Sequence, residues 1–135
     1  MAIKWDRNLE VGNPAIDAQH IQLIDMINSL LNACASGRGS DELERSLNFL
    51  IEYTVKHIAD EEEWQIKIGF PDYKRHKGFH DAFKVKIGEL AVQFKETGYS
   101  IIIVTQLNSA VGNWLIQHIR VEDAKIGKHA KLSAQ

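Results

Sequence analysis

The stretch HIADEEEWQIKIGFPDYKRHKGFH, residues 57–80, holds both the fold and the chemistry of this chain in miniature. His57 and Glu61 stand four residues apart before Gly69-Phe70-Pro71, and His76 and His80 stand four apart after it. Residues at i and i+4 share one face of a helix, one turn apart. Glycine readily ends a helix and proline cannot continue one. The stretch therefore predicts two helices that reverse at residues 69–71, each carrying a pair of metal-binding side-chain types on one face.

Upstream, the second helix reaches back to about Asp41, with Asp41 and Glu44 at capping-box spacing. Its inward stripe is Leu43, Leu47, Leu50, Thr54, His57, Glu61 and Ile68. A first helix spans about Pro14 to Ala35, opened by the cap pair Asn13–Pro14 and ended by Gly37 and Gly39. Its stripe is Ile16, His20, Leu23, Ile27, Leu30, Leu31 and Cys34. Downstream, the third helix runs from near Asp72 to Glu96, with Tyr73, His76, His80, Phe83, Ile87, Leu90 and Phe94 inward, and Gly98 stops it. The fourth covers about Ser100 to Ile126, with Ile103, Leu107, Val111, Trp114 and His118 inward, and Gly127 closes it. Steps of three and four throughout, with no alternating stretch, predict an all-α chain. Short connections make neighbours antiparallel, so the expected architecture is an up-down-up-down four-helix bundle. Residues 1–12 form an N-terminal arm anchored by Trp5, residues 13–127 the bundle, and 128–135 a polar tail, all within one domain of 135 residues.

Composition narrows the function. Apolar residues are 44% and charged residues 25%, as in globular proteins. A net charge of −2 argues against nucleic acid or an anionic membrane as partner. Cys34 is the single cysteine, which excludes an internal disulfide and a CxxC metal knuckle. With neither a membrane-length apolar run nor a secretory apolar core, a cytoplasmic location is expected.

Five of the six histidines lie on inward stripes. A buried imidazole without partners costs about 1–3 kcal/mol. One such residue is ordinarily a satisfied core histidine, whereas five together require a shared partner. At about 1.5 Å of rise per residue, His20, Glu61, His76, His80 and His118 fall about 6–12 Å from one end of the bundle, His57 about 16 Å and Asp123 about 4 Å. These depths are compatible with a single layer. His118 and Asp123 are five residues apart, a rotation of about 140° on an ideal helix, so a local π-bulge is expected between them. Seven side chains exceed the needs of one tetrahedral zinc. Imidazole with carboxylate suits iron, and two octahedral ions bridged by carboxylates would use the whole set. HExxH and Glu-x-x-His are both absent, which sets aside zincins and the ferritin-like di-iron pattern.

The chain resembles the hemerythrins, specifically the bacterial single-domain ones. The resemblance rests on Asp17-Ala-Gln-His20, His57-x3-Glu61-Glu62, Gly69-Phe70-Pro71 with His76-x3-His80, and Trp114-Leu115-x2-His118-Ile119-x3-Asp123, and on the arm, Trp5 followed by Val11-Gly12. It implies a non-haem di-iron site with a bridging oxo or hydroxo group that binds O2 reversibly, for storage, delivery or buffering, without being an enzyme. His76, His80 and His118 would complete one iron. His20 and His57 would hold the other with a position left for O2, and Glu61 and Asp123 would bridge the two. Leu115 and Ile119 would line an apolar pocket for O2. Two departures bear on that pocket: Gln65 stands where the family often has methionine, and Ile58 where phenylalanine is common. Other classes are an oxygen or redox sensor acting through a separate signalling partner, a peroxidase-like di-iron enzyme, and a purely structural metal site. The expected molecule is a monomer that meets O2 and an O2-consuming enzyme or a signalling protein. Glu62 and Glu63 are expected at or beyond the edge of the site. Asp60–Glu63 is otherwise a charged face, Cys34 a small core residue, and His129 an exposed tail residue.

Overall fold

The computed structural model describes residues 4–37 and 39–133, without the side chains of residues 34, 35, 39, 40, 110 and 111. The expectations for Cys34 as a core residue and Val111 as a stripe residue lie outside that description. Three long helices, α1 (Pro14–Ala35), α2 (Gly39–Lys67) and α3 (Tyr73–Thr97), are followed by a broken fourth segment. That segment comprises α4 (Ile101–Leu107), a π-helical stretch Asn108–Asn113, α5 (Trp114–His118), a second π stretch Ile119–Asp123, and α6 (Ala124–Ser133). No strand occurs among the described residues. Consecutive helices pack on one another, and the first π stretch returns to α1 and closes the helical bundle.

The caps explain most boundaries. Asn13 Oδ1 accepts the Ala15 and Ile16 amides at 3.1 and 3.3 Å, so α1 begins at Pro14 as its cap predicts. Helix α2 begins at Gly39, two residues before the expected Asp41, which leaves Asp41 and Glu42 to face the positive end of the dipole in the first turn. Gly98 adopts φ of 74°, and its N–H reaches Phe94 O. Ser100 accepts the Ile103 amide at 3.2 Å.

Two expectations at the C-terminus are corrected. Gly127 does not close the fourth segment, and residues 128–133 are helical rather than a tail. The glycine serves a close approach instead: a Cβ there would lie 2.1 Å from the Val11 carbonyl oxygen. The arm crosses α6 at that point. It is held on the other side by Asp17, whose carboxylate accepts the Val11 N–H at 2.8 Å. Leu9 and Val11 are buried while Trp5 is only partly so, which makes them its deeper anchors.

One end of the core is mostly aliphatic, although Ser46 is also buried in that stretch of α2. Leu30, Leu43, Leu47, Leu50, Leu90 and Ile103 are at most 2% exposed. Each such side chain is worth about 1.5–3 kcal/mol on burial, which offsets the cost of a polar cluster at the other end.

Candidate metal centre

At the end of the bundle opposite the α1–α2 connection, all seven predicted side chains converge. His20 comes from α1, His57 and Glu61 from α2, His76 and His80 from α3, His118 from α5, and Asp123 from the second π stretch. None is more than 7% exposed. Their donor atoms form two groups, Glu61–His76–His80–His118–Asp123 and His20–His57–Glu61–Asp123, each with its donor atoms within 4.8 Å of one another. The two carboxylates belong to both groups.

Each carboxylate divides its oxygens between the groups. Glu61 Oε1 lies 2.9 Å from His76 Nε2 and 3.1 Å from His80 Nε2, while Oε2 lies 3.5 and 3.3 Å from His20 and His57 Nε2. Asp123 Oδ1 lies 2.9 Å from His76 and 3.1 Å from His118, while Oδ2 lies 3.2 Å from His20. The expected π-bulge is what admits Asp123. In the π stretch Ile119–Asp123 the wider turn brings the residue five positions after His118 back onto the inward face.

Neighbouring groups fix the imidazole protons. His57 Nδ1 donates to Gln19 Oε1 at 2.7 Å, and the Gln19 amide donates to Asp60 Oδ2 at 2.7 Å. His80 Nδ1 donates to Glu62 Oε2 at 3.2 Å. In the neutral ring this leaves Nε2 of both histidines with a lone pair directed at the cluster. Asp60 and Glu62 thus support ligand-type histidines rather than forming a plain charged face. Sequence reasoning did not single out Gln19, whose only signal was its place next to His20.

The cluster is an array of acceptors. His20 Nε2 faces His57 Nε2 at 3.1 Å, and His118 Nε2 faces His76 Nε2 at 3.1 Å. Glu61 Oε2 and Asp123 Oδ1 are fully buried without a well-directed hydrogen bond among the described residues. Such an array requires cations between its atoms, either protons or metals. Burial acts to lower the pKa of His20 and His76, but the Asp123 and Glu61 carboxylates outweigh it and push both up to about 9. Burial acts to raise Glu61 and Asp123, yet the surrounding imidazoles hold both well below the usual carboxylate range. Metals fit the same spaces. For ligand bonds of about 2.1 Å at right angles, adjacent donors sit about 3.0 Å apart, close to the contacts found. Five imidazoles and two shared carboxylates, without sulfur, suit a pair of octahedral ions.

Beside the cluster is a pocket of about 10 Å³, lined among others by Leu23, Thr54, Ile58, Phe83, Trp114 and Leu115, and bounded by His57, His80, His118 and Asp123. It has room for about one water-sized molecule. Leu115 lines it as expected. Ile119 does not: it is fully buried in the core but faces elsewhere. Leu115 precedes His118 by three residues and shares its face, whereas Ile119, one residue on, is turned away. Trp114 stacks between Phe83 and His118 at 4.1 and 4.5 Å, holding the His118 ring edge-on to the cluster. His129 is half-buried rather than an exposed tail residue, and its Nε2 donates to Ile68 O at 3.1 Å. It stands outside both donor groups.

Residues 11–130 match the hemerythrin HHE cation binding domain. The chain is similar to the bacteriohemerythrin of Pseudomonas paraeruginosa, 31% identical over 89% of this chain and 76% of the relative. It is 32% identical to the bacteriohemerythrin of Methylococcus capsulatus over 82% of each. A hemerythrin-like protein of Naegleria gruberi is 28% identical over 90% of this chain and 87% of its own length.

Proposed function

This chain belongs to the hemerythrin family, and we propose that its buried centre holds two iron ions and binds O2 reversibly, for oxygen storage, delivery or buffering. The observation that carries this reading is the division of the Glu61 and Asp123 oxygens between two donor groups. In it, His76, His80 and His118 hold one iron, and His20 and His57 hold the other. Glu61 and Asp123 would be shared by the two ions, together with an oxo or hydroxo group. The second group has one imidazole fewer, which leaves a position for an exogenous ligand. When bound, the iron pair would supply the two electrons that O2 takes up on binding and would recover them on its release.

The chain's own residues do the rest. Gln19 and Glu62 fix the Nδ1 protons of His57 and His80, so that each ring presents Nε2 inward. Leu23, Ile58, Phe83 and Leu115 keep the adjoining pocket apolar and small, withholding water and protons from the centre. Apart from the cluster residues, the Thr54 hydroxyl and the Trp114 indole N–H are the polar groups of an otherwise apolar lining, and a pocket this small and apolar favours a carrier over an enzyme. No described helix is long and apolar enough to cross a membrane.

The test is an optical spectrum of anaerobically reduced, iron-loaded protein before O2, after O2 and again under argon. Charge-transfer bands that rise with O2 and fade under argon are expected. An irreversible jump to the oxidised form, or no change, overturns reversible binding. The ligand set is checked separately: His118→Ala and Glu61→Ala should bind less than two irons per chain, while His129→Ala should keep both.

A further inference from the structure

Thr54 lies one turn before His57, is 4% exposed, and its hydroxyl has no hydrogen-bond partner among the described residues. That is unusual within this molecule. Thr97 and Thr105 each donate to the carbonyl four residues back at 2.8 Å, the ordinary resort of a helical hydroxyl. Thr54 makes no such bond. It is also the residue common to two cavities. One is the pocket of about 10 Å³ on the metal cluster. The other is an outer groove of about 80 Å³ between α2 and α3, lined by Ile51, Thr54, Val55, Lys84, Ile87 and Gly88.

The chemistry of the groove points to its occupant. Its lining is aliphatic apart from Thr54 and the Lys84 side chain, whose methylene stem can lie along an apolar wall while the ammonium stays in water. Enclosed apolar cavities take up xenon and other apolar molecules, and the inner wall of this groove, formed by Ile51, Thr54 and Ile87, offers the same apolar chemistry although its outer side is open to solvent. Gly88 contributes no side chain, and a Cβ placed on it would meet nothing within 4 Å. The outer side of the groove is therefore open where almost any other residue would narrow it. Across the inner side stands Thr54, a residue that in helices divides between two χ1 rotamers because its hydroxyl can bond the preceding turn or leave it. Turning the side chain exchanges methyl and hydroxyl at the wall between the cavities, with no backbone movement.

We propose that the α2–α3 groove is a binding and entry site for small apolar gas molecules, which pass the Thr54 side chain to reach the pocket on the metal centre. Delivery of O2 along it rests on the oxygen-binding reading above, whereas occupancy of the groove by a gas does not. Charged and strongly hydrated ligands are disfavoured on this route, since entry would strip their water without offering a counter-charge.

The experiment uses iron-loaded protein with two plugs, Gly88→Met from outside and Thr54→Ile at the wall. Crystals pressurised with xenon should show the gas in the groove of the unmodified protein and none there in Gly88→Met. In stopped flow, O2 association and release should both slow by roughly tenfold in Gly88→Met, a change in barrier and not in end states. The ratio of the two rates should be unchanged. Thr54→Ile should slow both rates in the same direction while xenon still enters the outer groove. An unmodified groove without xenon, or Gly88→Met with both rates at the unmodified values, overturns the proposal. If the unmodified protein takes up xenon in the groove yet gives no optical response to O2, the oxygen-binding reading fails and the gas site stands.

Discussion

Gln65 shows how a single side chain can be out of keeping with its surroundings. It is fully buried in α2, one turn beyond Glu61, and neither its amide oxygen nor its nitrogen has a hydrogen-bond partner among the described residues. An unmatched buried amide costs about 1–3 kcal/mol. Methionine has similar length and no polar donor, so Gln65→Met should raise the stability of the iron-loaded protein by about 1–2 kcal/mol in urea denaturation. Iron content should not change, and a fall in the midpoint would show that an ordered water satisfies the amide. Gln19 presents the opposite case, a polar side chain with both ends engaged. Gln19→Leu removes the acceptor of the His57 Nδ1 proton and frees the ring to turn. Loss of such an outer partner typically weakens metal affinity about 10–100-fold, measurable by competition with a chelator. The seven clustered side chains were legible in the sequence because i,i+4 spacing and helical rise constrain their depth and facing. Gln19, Asp60 and Thr54 were not, because their roles depend on cross-helix distances that no spacing within one helix encodes.

Among the elements, the fourth segment departs most from regular geometry, and only part of that was legible. The five-residue step from His118 to Asp123 forced an irregularity there, and the π stretch Ile119–Asp123 supplies it. The earlier π stretch Asn108–Asn113 left no such mark, since no pair of functional residues spans it. It changes the register of α5, so that Leu115 is buried while Trp114 is partly so and lies against Phe83 and His118. Gly127 misled for a different reason. Glycine ends helices, but it also lets two backbones touch, and sequence alone does not separate these uses. The distinction is testable with alanine. Gly127→Ala places a Cβ 2.1 Å from Val11 O, an overpacking that should cost about 1–3 kcal/mol. Displacement of the arm should also speed proteolysis around residues 7–12. Gly78→Ala, in the interior of α3 with nothing within 4 Å of the new Cβ, should stabilise by about 0.5–1 kcal/mol. Equal effects of the two substitutions would remove the close-approach role of Gly127.

For the molecule as a whole, a largely aliphatic end of the core supports an end whose buried polar cluster depends on cations between its atoms. Without metal, protons must hold the cluster together, and each kind of group then ties stability to pH with its own sign. The folded pKa of His20 and His76 is raised from 6.5 to about 9, so their contribution is complete below pH 6.5 and is lost as pH rises through about 9. Glu61 and Asp123 are depressed from their ordinary values of 4.5 and 3.8, so theirs is present above those values and is lost as pH falls below them. Metal-stripped protein should therefore melt highest between about pH 5 and 6.5 and progressively lower towards pH 10. Metal binding reverses the histidine half of this dependence, because a ligating imidazole must give up its proton. Loading at pH 7 should release protons from His20 and His76, so calorimetric heats should scale with the ionisation enthalpy of the buffer. The alkaline loss of stability should be absent from the loaded protein. Buffer-independent heats, or a stripped protein whose melting point is flat from pH 6 to 10, would mean that these imidazoles are neutral before metal arrives. The cluster would then be held open by packing alone, with the apolar layers above it bearing the whole cost of seven polar side chains at one end of the core.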